Sequence, residues 1–147
     1  MKKLFVLPLA LLTLVTSCVA PSAPLTPEQQ HQQTVTRIEV ATEIVGRRIA
    51  ASSNDQAKIA RVKQAVSEIK TLVEQGGTGS GDVLNFIVDR LAPALSEKER
   101  LNLKDGAQLI TLLVGPITVD VSGVLEQAQK DYVLAFLTGL DKGLAQQ

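Results

Sequence analysis

The stretch that decides the fold is Ile59-Ala-Arg-Val62-Lys-Gln-Ala-Val66-Ser-Glu-Ile69-Lys-Thr-Leu-Val73. The five numbered aliphatic residues stand three or four positions apart, which is the spacing of the buried seam of a packed helix. The seam covers about two heptads, whereas a free coiled coil needs three or four. We therefore predict a helix in an antiparallel bundle, with this seam buried against the first and last helices of the domain.

Cap residues predict the helices on either side of this stretch. Thr26 is a good N-cap, Pro27 suits the first helical position, and Gln29 can close a capping box. The loop Ser52-Ser53-Asn54-Asp55 separates this first helix from the second and can cap it. A third, short helix is predicted from Asp82.

The C-terminal part of the chain predicts two more helices. Ser96 and Glu99 have the spacing of a second capping box, which opens an apolar helical stretch. Gly115-Pro116 must break or kink that helix, because proline lacks the backbone donor. The β-branched run Ile117–Val121 could form a strand, but we find no second run to pair with it and expect an extended connection or distorted turn. The last helix is predicted from Ser122.

The predicted fold class is all-α, a small bundle of about five helices with antiparallel neighbours and an extended N-terminal tether. The chain has 147 residues, the length of a single domain. A domain of this size buries roughly two-thirds of its unfolded surface, so it can fold without disulfides.

The first residues have the parts of a secretory signal. Lys2 and Lys3 form a positive region, and an apolar run follows from Leu4 to Val15. That run is about 12 residues long, which is shorter than the ~20 residues of a permanent membrane span. We predict that residues 1–17 are a cleaved leader.

The end of this leader carries a more specific motif. Val15-Thr16-Ser17-Cys18 resembles the lipobox of bacterial lipoproteins, and Cys18 is the only cysteine of the chain. The resemblance implies cleavage before Cys18, attachment of diacylglycerol to its thiol, and acylation of the new amino group. Since Val19 stands where an aspartate would retain a Gram-negative lipoprotein in the inner membrane, the resemblance implies the outer membrane, facing the periplasm, for such a host. The alternative is an ordinary secretory signal followed by a chance cysteine.

Prolines define the segment that follows the lipobox. Pro21, Pro24 and Pro27 recur every third residue, which favours an extended polyproline II conformation. We predict a lipidated cysteine and tether over 18–25, reaching roughly 20 Å from the lipid, and a helical domain over 26–147.

The composition excludes nucleic-acid binding and most kinds of catalytic or metal site. Without Lys2 and Lys3 the chain keeps 13 basic and 15 acidic residues, so its field is too weak to hold nucleic acid. One histidine and one cysteine cannot build a zinc site or most nucleophilic arrangements. We expect no catalytic residue, metal ligand or cofactor, and no nucleic-acid partner.

Five local patterns could indicate catalytic, binding or membrane-spanning segments, and for each of them we favour a purely structural role. Residues 76–81 match the glycines of a phosphate loop, but an acid, Asp82, replaces its lysine, so we expect a flexible connector. Ser67 and Lys70 have the S-x-x-K spacing without its companion motifs, and we expect a solvated helix face. We also expect His31 to be solvated at a frayed helix start. We expect Glu97 and Glu99 to stabilise the start of their helix rather than to act as an acid–base pair. We expect the apolar stretch 106–125 to be a buried core helix rather than a membrane span.

These observations predict a noncatalytic, membrane-anchored envelope lipoprotein whose helices bind a protein partner. The alternative is a carrier that holds an apolar ligand or lipid between its helices, since the core is rich in aliphatic residues and poor in aromatic ones.

Overall fold

A computed structural model describes residues 24–78, 81–119 and 124–146 of the protein. These residues form five α-helices and one two-stranded sheet, so the prediction of an all-α bundle of about five helices is confirmed. The leader, Cys18 and the tether before Pro24 lie outside the described residues. In chain order the elements are α1 (Pro27–Ser52), α2 (Gln56–Glu74), β1 (Gly81–Asp82), α3 (Val83–Leu91), α4 (Glu97–Val114), β2 (Thr118–Val119) and α5 (Gln127–Leu144).

Capping hydrogen bonds are present at four helix starts, among them the two predicted capping boxes at Thr26 and Ser96. At α1, the Thr26 amide donates to Gln29 Oε1 over 2.9 Å and the Gln29 amide donates back to Thr26 Oγ1 over 3.2 Å. Asp55 accepts the first free amides of α2, and Asp82 accepts the Asn85 amide of α3. At α4, the Ser96 amide donates to Glu99 Oε2 over 2.7 Å. These bonds satisfy donors that have no partner within a helix.

Helices α1 and α5 form the most extensive pair and run in the same direction, as their cross-links show. Glu39 of α1 accepts a hydrogen bond from Lys142 of α5, and Glu43 accepts one from Gln146. The backbones approach closely at glycines. A Cβ atom added to Gly139 would lie 2.1 Å from Thr42 Oγ1 and 2.2 Å from the Glu39 carbonyl oxygen. Only glycine therefore fits here.

The seam of α2 is buried along its whole length, as predicted. Val62 and Val66 are completely inaccessible, and Ile59, Ile69 and Val73 nearly so. The prediction of its packing partners was correct for α5 but not for α1. The main partners of α2 are α5, α3 and the 3-10 turn Ala92–Ala94, because α5 packs against both α1 and α2.

The two short strands correct the prediction that residues 117–121 find no partner. Gly81 pairs with Val119, and Asp82 pairs with Thr118, in an antiparallel register. The partner strand is the end of the glycine run, where Gly81 adopts φ +125°, a conformation that L side chains rarely adopt. This run is therefore more than a connector. Residues 79, 80 and 120–123 lie outside the described part.

Helix α4 packs against both α1 and α3. The side chains of Ser52 and Glu99 are hydrogen-bonded, and a Cβ on Gly106 would lie 3.0 Å from Val45, so α4 runs antiparallel to α1. The helix ends at Val114 with Gly115 at φ +81°, as the Gly-Pro pair predicted. Helix α5 begins at Gln127, five residues later than predicted.

Candidate functional site

A groove between α3 and α4 is the best candidate for a binding site in the described residues. It consists of two adjoining cavities of about 380 and 310 Å³, and Asn85 and Lys104 line both of them. The first cavity extends to Asp82 and Leu112, and the second extends to Glu97. The groove therefore follows α4 for about 22 Å, given a rise of 1.5 Å per residue.

Both polar and apolar side chains line this α3–α4 groove. Leu112 stands at one end and is 84% exposed, while Leu101 stands near the other and is 57% exposed. Lys104 and Asn85 lie between them, and Arg100 lines the second cavity. Ammonium, guanidinium and amide groups can donate hydrogen bonds to carboxylates or peptide carbonyls, while the leucines accept apolar side chains. The lining suits a peptide segment.

A second exposed surface lies towards the α1 side of α4 and shares Leu112 with the groove. We call it the aliphatic patch, and it consists of Val40 and Ile44 of α1 with Leu109, Leu112 and Leu113 of α4, all exposed. The antiparallel register of α1 and α4 brings the two sets together. Since Val45 faces Gly106 and Ser52 meets Glu99, Val40 lies at the level of Thr111, between Leu109 and Leu113. Ile44 lies two residues, or ~3 Å, from the level of Leu109.

His31 corrects the prediction of a solvated histidine. Its side chain is only 23% exposed. Nε2 lies 3.0 Å from Asp131 Oδ2, and Nδ1 lies 3.1 Å from the Tyr132 hydroxyl. Because a carboxylate only accepts hydrogen bonds, Nε2 donates to Asp131, and the Tyr132 hydroxyl is the partner of Nδ1. The cluster fastens the beginning of α1 to α5, so this helix start is packed rather than frayed.

Glu99 is the most deeply buried ionisable residue described, at 1% exposure. Burial raises the pKa of this carboxyl, but hydrogen bonds from Lys58, from Ser96 and from Ser52 outweigh it and lower the pKa to about 2. The carboxylate is thus held ionised by donors that tie α2, α4 and α1 together. Its partners explain it as a structural ion pair.

The other patterns found in the sequence do not converge on a site. Ser67 lies on the exposed face of α2, and Lys70 Nζ is 3.8 Å from Asp141 Oδ2. Glu97 is exposed in the first turn of α4 and lines the groove. The described residues contain no group of three His, Cys, Asp or Glu side chains that could hold a metal ion. None of the described helices has the length and hydropathy that a bilayer span requires.

No family model, curated protein or solved structure matches this chain. What the groove and the patch can bind therefore follows from their own geometry. Sequence reasoning missed both, although one signal was available. The apolar residues of α4 surround most of the helix, and a helix packed on one side cannot bury all of them.

Proposed function

We propose that this protein is a noncatalytic bacterial lipoprotein, anchored through lipid on Cys18, whose helical domain binds a segment of an envelope protein. In a Gram-negative host its place is the outer membrane, facing the periplasm. The observation that carries the binding role is the α3–α4 groove, with Asn85 and Lys104 at its centre and exposed leucines towards both ends.

The anchor is supported by the leader sequence. Lys2 and Lys3 precede an apolar run, and Val15-Thr16-Ser17-Cys18 resembles a lipobox. Several acyl chains, each contributing about 0.8 kcal/mol per buried CH₂, make such an attachment stable. The domain then acts at a membrane surface, where a small noncatalytic module can hold another protein in place.

The groove supports a protein partner over an apolar ligand. A site for an acyl chain would be lined mainly by apolar side chains. The first cavity is mainly apolar but carries Lys104, Asn85 and Gln108, and in the second cavity the polar surface, which includes Arg100 and Asp89, nearly equals the apolar surface. An amphipathic helix or extended peptide can satisfy these polar groups and also cover the leucines.

The anchor is tested by metabolic labelling with a radioactive fatty acid. We expect label on the wild-type protein and none on Cys18→Ser, since no other thiol exists in the chain. Ser17→Ala is the matched control, because it keeps a small residue before the cysteine and should retain the label. Label that persists in Cys18→Ser would refute the lipoprotein assignment.

The binding role is tested by photo-crosslinking in living cells. A photoreactive residue at Gln108, in the groove, should capture one discrete envelope protein, whereas the same residue at Gln64, exposed on α2, should not. Lys104→Glu should weaken that capture, because it reverses the charge at the centre of the groove. Equal capture from Gln108 and Gln64, or capture unaffected by Lys104→Glu, would contradict a groove-specific partner.

A further inference from the structure

The aliphatic patch gathers most of the exposed apolar side chains of the domain. Eight large apolar side chains are exposed in the described residues, and five of them belong to the patch: Val40, Ile44, Leu109, Leu112 and Leu113. Scattered exposed aliphatic residues are normal on a protein surface, but a cluster of this kind marks a surface that something covers.

Charge is distributed unevenly around α1. Arg37 and Arg48 are exposed and stand three and four positions from Val40 and Ile44, so they share the patch's face of the helix. Within the described part of the chain, neither guanidinium forms an ion pair. The acids of α1 lie on the other side, where Glu39 is paired with Lys142. On α4, Asp105 lies one turn before Leu109 and offsets one of these two arginine charges. The rim of the patch is therefore net positive.

We propose that the aliphatic patch rests on the lipid surface to which Cys18 is anchored, so that α1 and α4 lie along the membrane. An interfacial helix buries its apolar face about 5–10 Å into the boundary of head groups and acyl chains, with basic residues beside it. The leucines, isoleucine and valine of the patch supply the apolar face. Arg37 and Arg48 supply the charges that pair with lipid phosphates. This inference rests on the proposed lipid anchor.

The length of chain before α1 permits this arrangement and favours a membrane as the occupant. The predicted tether over 18–25 reaches roughly 20 Å, and Val40 lies ~20 Å along α1 from Pro27. A tether of that length lets α1 lie flat near its own anchor instead of holding the domain far away. The effective concentration of lipid at the patch is then high, because attachment and contact belong to one molecule.

The orientation also leaves the proposed partner site accessible. Arg100, Lys104 and Gln108 line the groove from the α3 side of α4, whereas Leu109 and Leu113 face the α1 side. Leu112 lies between them, at the edge of both surfaces. With the patch on lipid, the groove opens along the membrane surface.

Fluorescence on the full-length lipidated protein tests this inference, because acylated Cys18 leaves an introduced cysteine as the only free thiol. Ile44→Cys and Leu109→Cys place an environment-sensitive fluorophore in the patch, and Ser67→Cys places it on the exposed face of α2 as the control. Each protein is incorporated into vesicles of phosphatidylethanolamine with a minority of phosphatidylglycerol. Some vesicles carry a spin label near the top of the acyl chain. Unchanged melting curves by circular dichroism show that each variant is folded.

We expect the two patch probes to shift to the blue and to be quenched by the spin label, while the Ser67 probe does neither. Replacing both Arg37 and Arg48 with Gln should reduce the quenching at Ile44→Cys. Vesicle-attached protein without quenching at either patch probe would overturn the inference, and so would equal quenching at all three sites. A blue shift that depends on protein density but not on the spin label would instead identify a second copy as the occupant. Protein that fails to float with the vesicles would refute the anchor itself.

Discussion

Lys58, in the first turn of α2, donates a hydrogen bond to Glu99, in the first turn of α4, although the two residues are 41 positions apart. Glu99 also accepts from the Ser96 amide at its own helix start and from Ser52 at the end of α1. One carboxylate therefore joins three helix termini. Removing one partner of a buried ion pair lowers the stability of the fold, because the other charge is left buried without a partner.

Glu99→Gln tests the importance of this carboxylate. The amide keeps the shape but removes the charge that faces Lys58, so we expect a loss of about 2–4 kcal/mol in the free energy of unfolding. The matched control is Glu97→Gln, an exposed acid in the same turn, which should cost less than about 1 kcal/mol. Denaturant melts measure both values. Equal effects of the two variants would show that Glu99 contributes only as a first-turn acid.

The low pKa of Glu99 predicts a loss of stability in acid. Its ordinary value is 4.5 and its folded value is about 2, so the unfolded chain binds this proton first as the pH falls. The stabilisation is complete above pH ~5 and is lost progressively towards pH ~2, in total about 3 kcal/mol. Melts across this range should show a steeper acid decline for the wild type than for Glu99→Gln. Parallel curves would contradict the assignment.

Gly139→Ala tests the close contact between α1 and α5. The added Cβ would lie 2.2 Å from the Glu39 carbonyl oxygen, and backbone cannot move aside without separating the helices. We expect a loss of about 3 kcal/mol or more, the upper range of overpacking effects. Gly77→Ala is the control, since its new Cβ would come no closer than 3.5 Å to any neighbour. If Gly139→Ala melts like Gly77→Ala, then α1 and α5 are further apart than described above.

Val66→Ala tests the apolar seam of α2. Val66 is completely inaccessible, so its truncation should cost about 1–3 kcal/mol through lost burial and the cavity left behind. Ser67→Ala, at the next and exposed position, should change the free energy of unfolding by less than about 0.5 kcal/mol. A change for Val66→Ala as small as that of its neighbour would place the seam in solvent.

Helix caps and the buried seam can be predicted from the sequence, because the interactions that form them join residues only a few positions apart. A cap such as Thr26 or Asp55 acts on amides two or three residues away, and that spacing can be recognised without any structure. The seam of α2 is also readable, because helical periodicity places residues three and four apart on one face. The two predicted capping boxes, at Thr26 and Ser96, and the burial of the seam were determined at this level.

Tertiary structure alone decided which distant groups meet. His31 contacts Asp131 across 100 positions, and Gly81 pairs with Val119. Neither contact has a spacing rule, since each depends on how whole helices pack. The same holds for the aliphatic patch and the groove. Periodicity shows that α4 carries more leucines than one face can bury, but only its packing between α1 and α3 determines which of them stay exposed, because burial depends on neighbours that the chain brings together only when it folds.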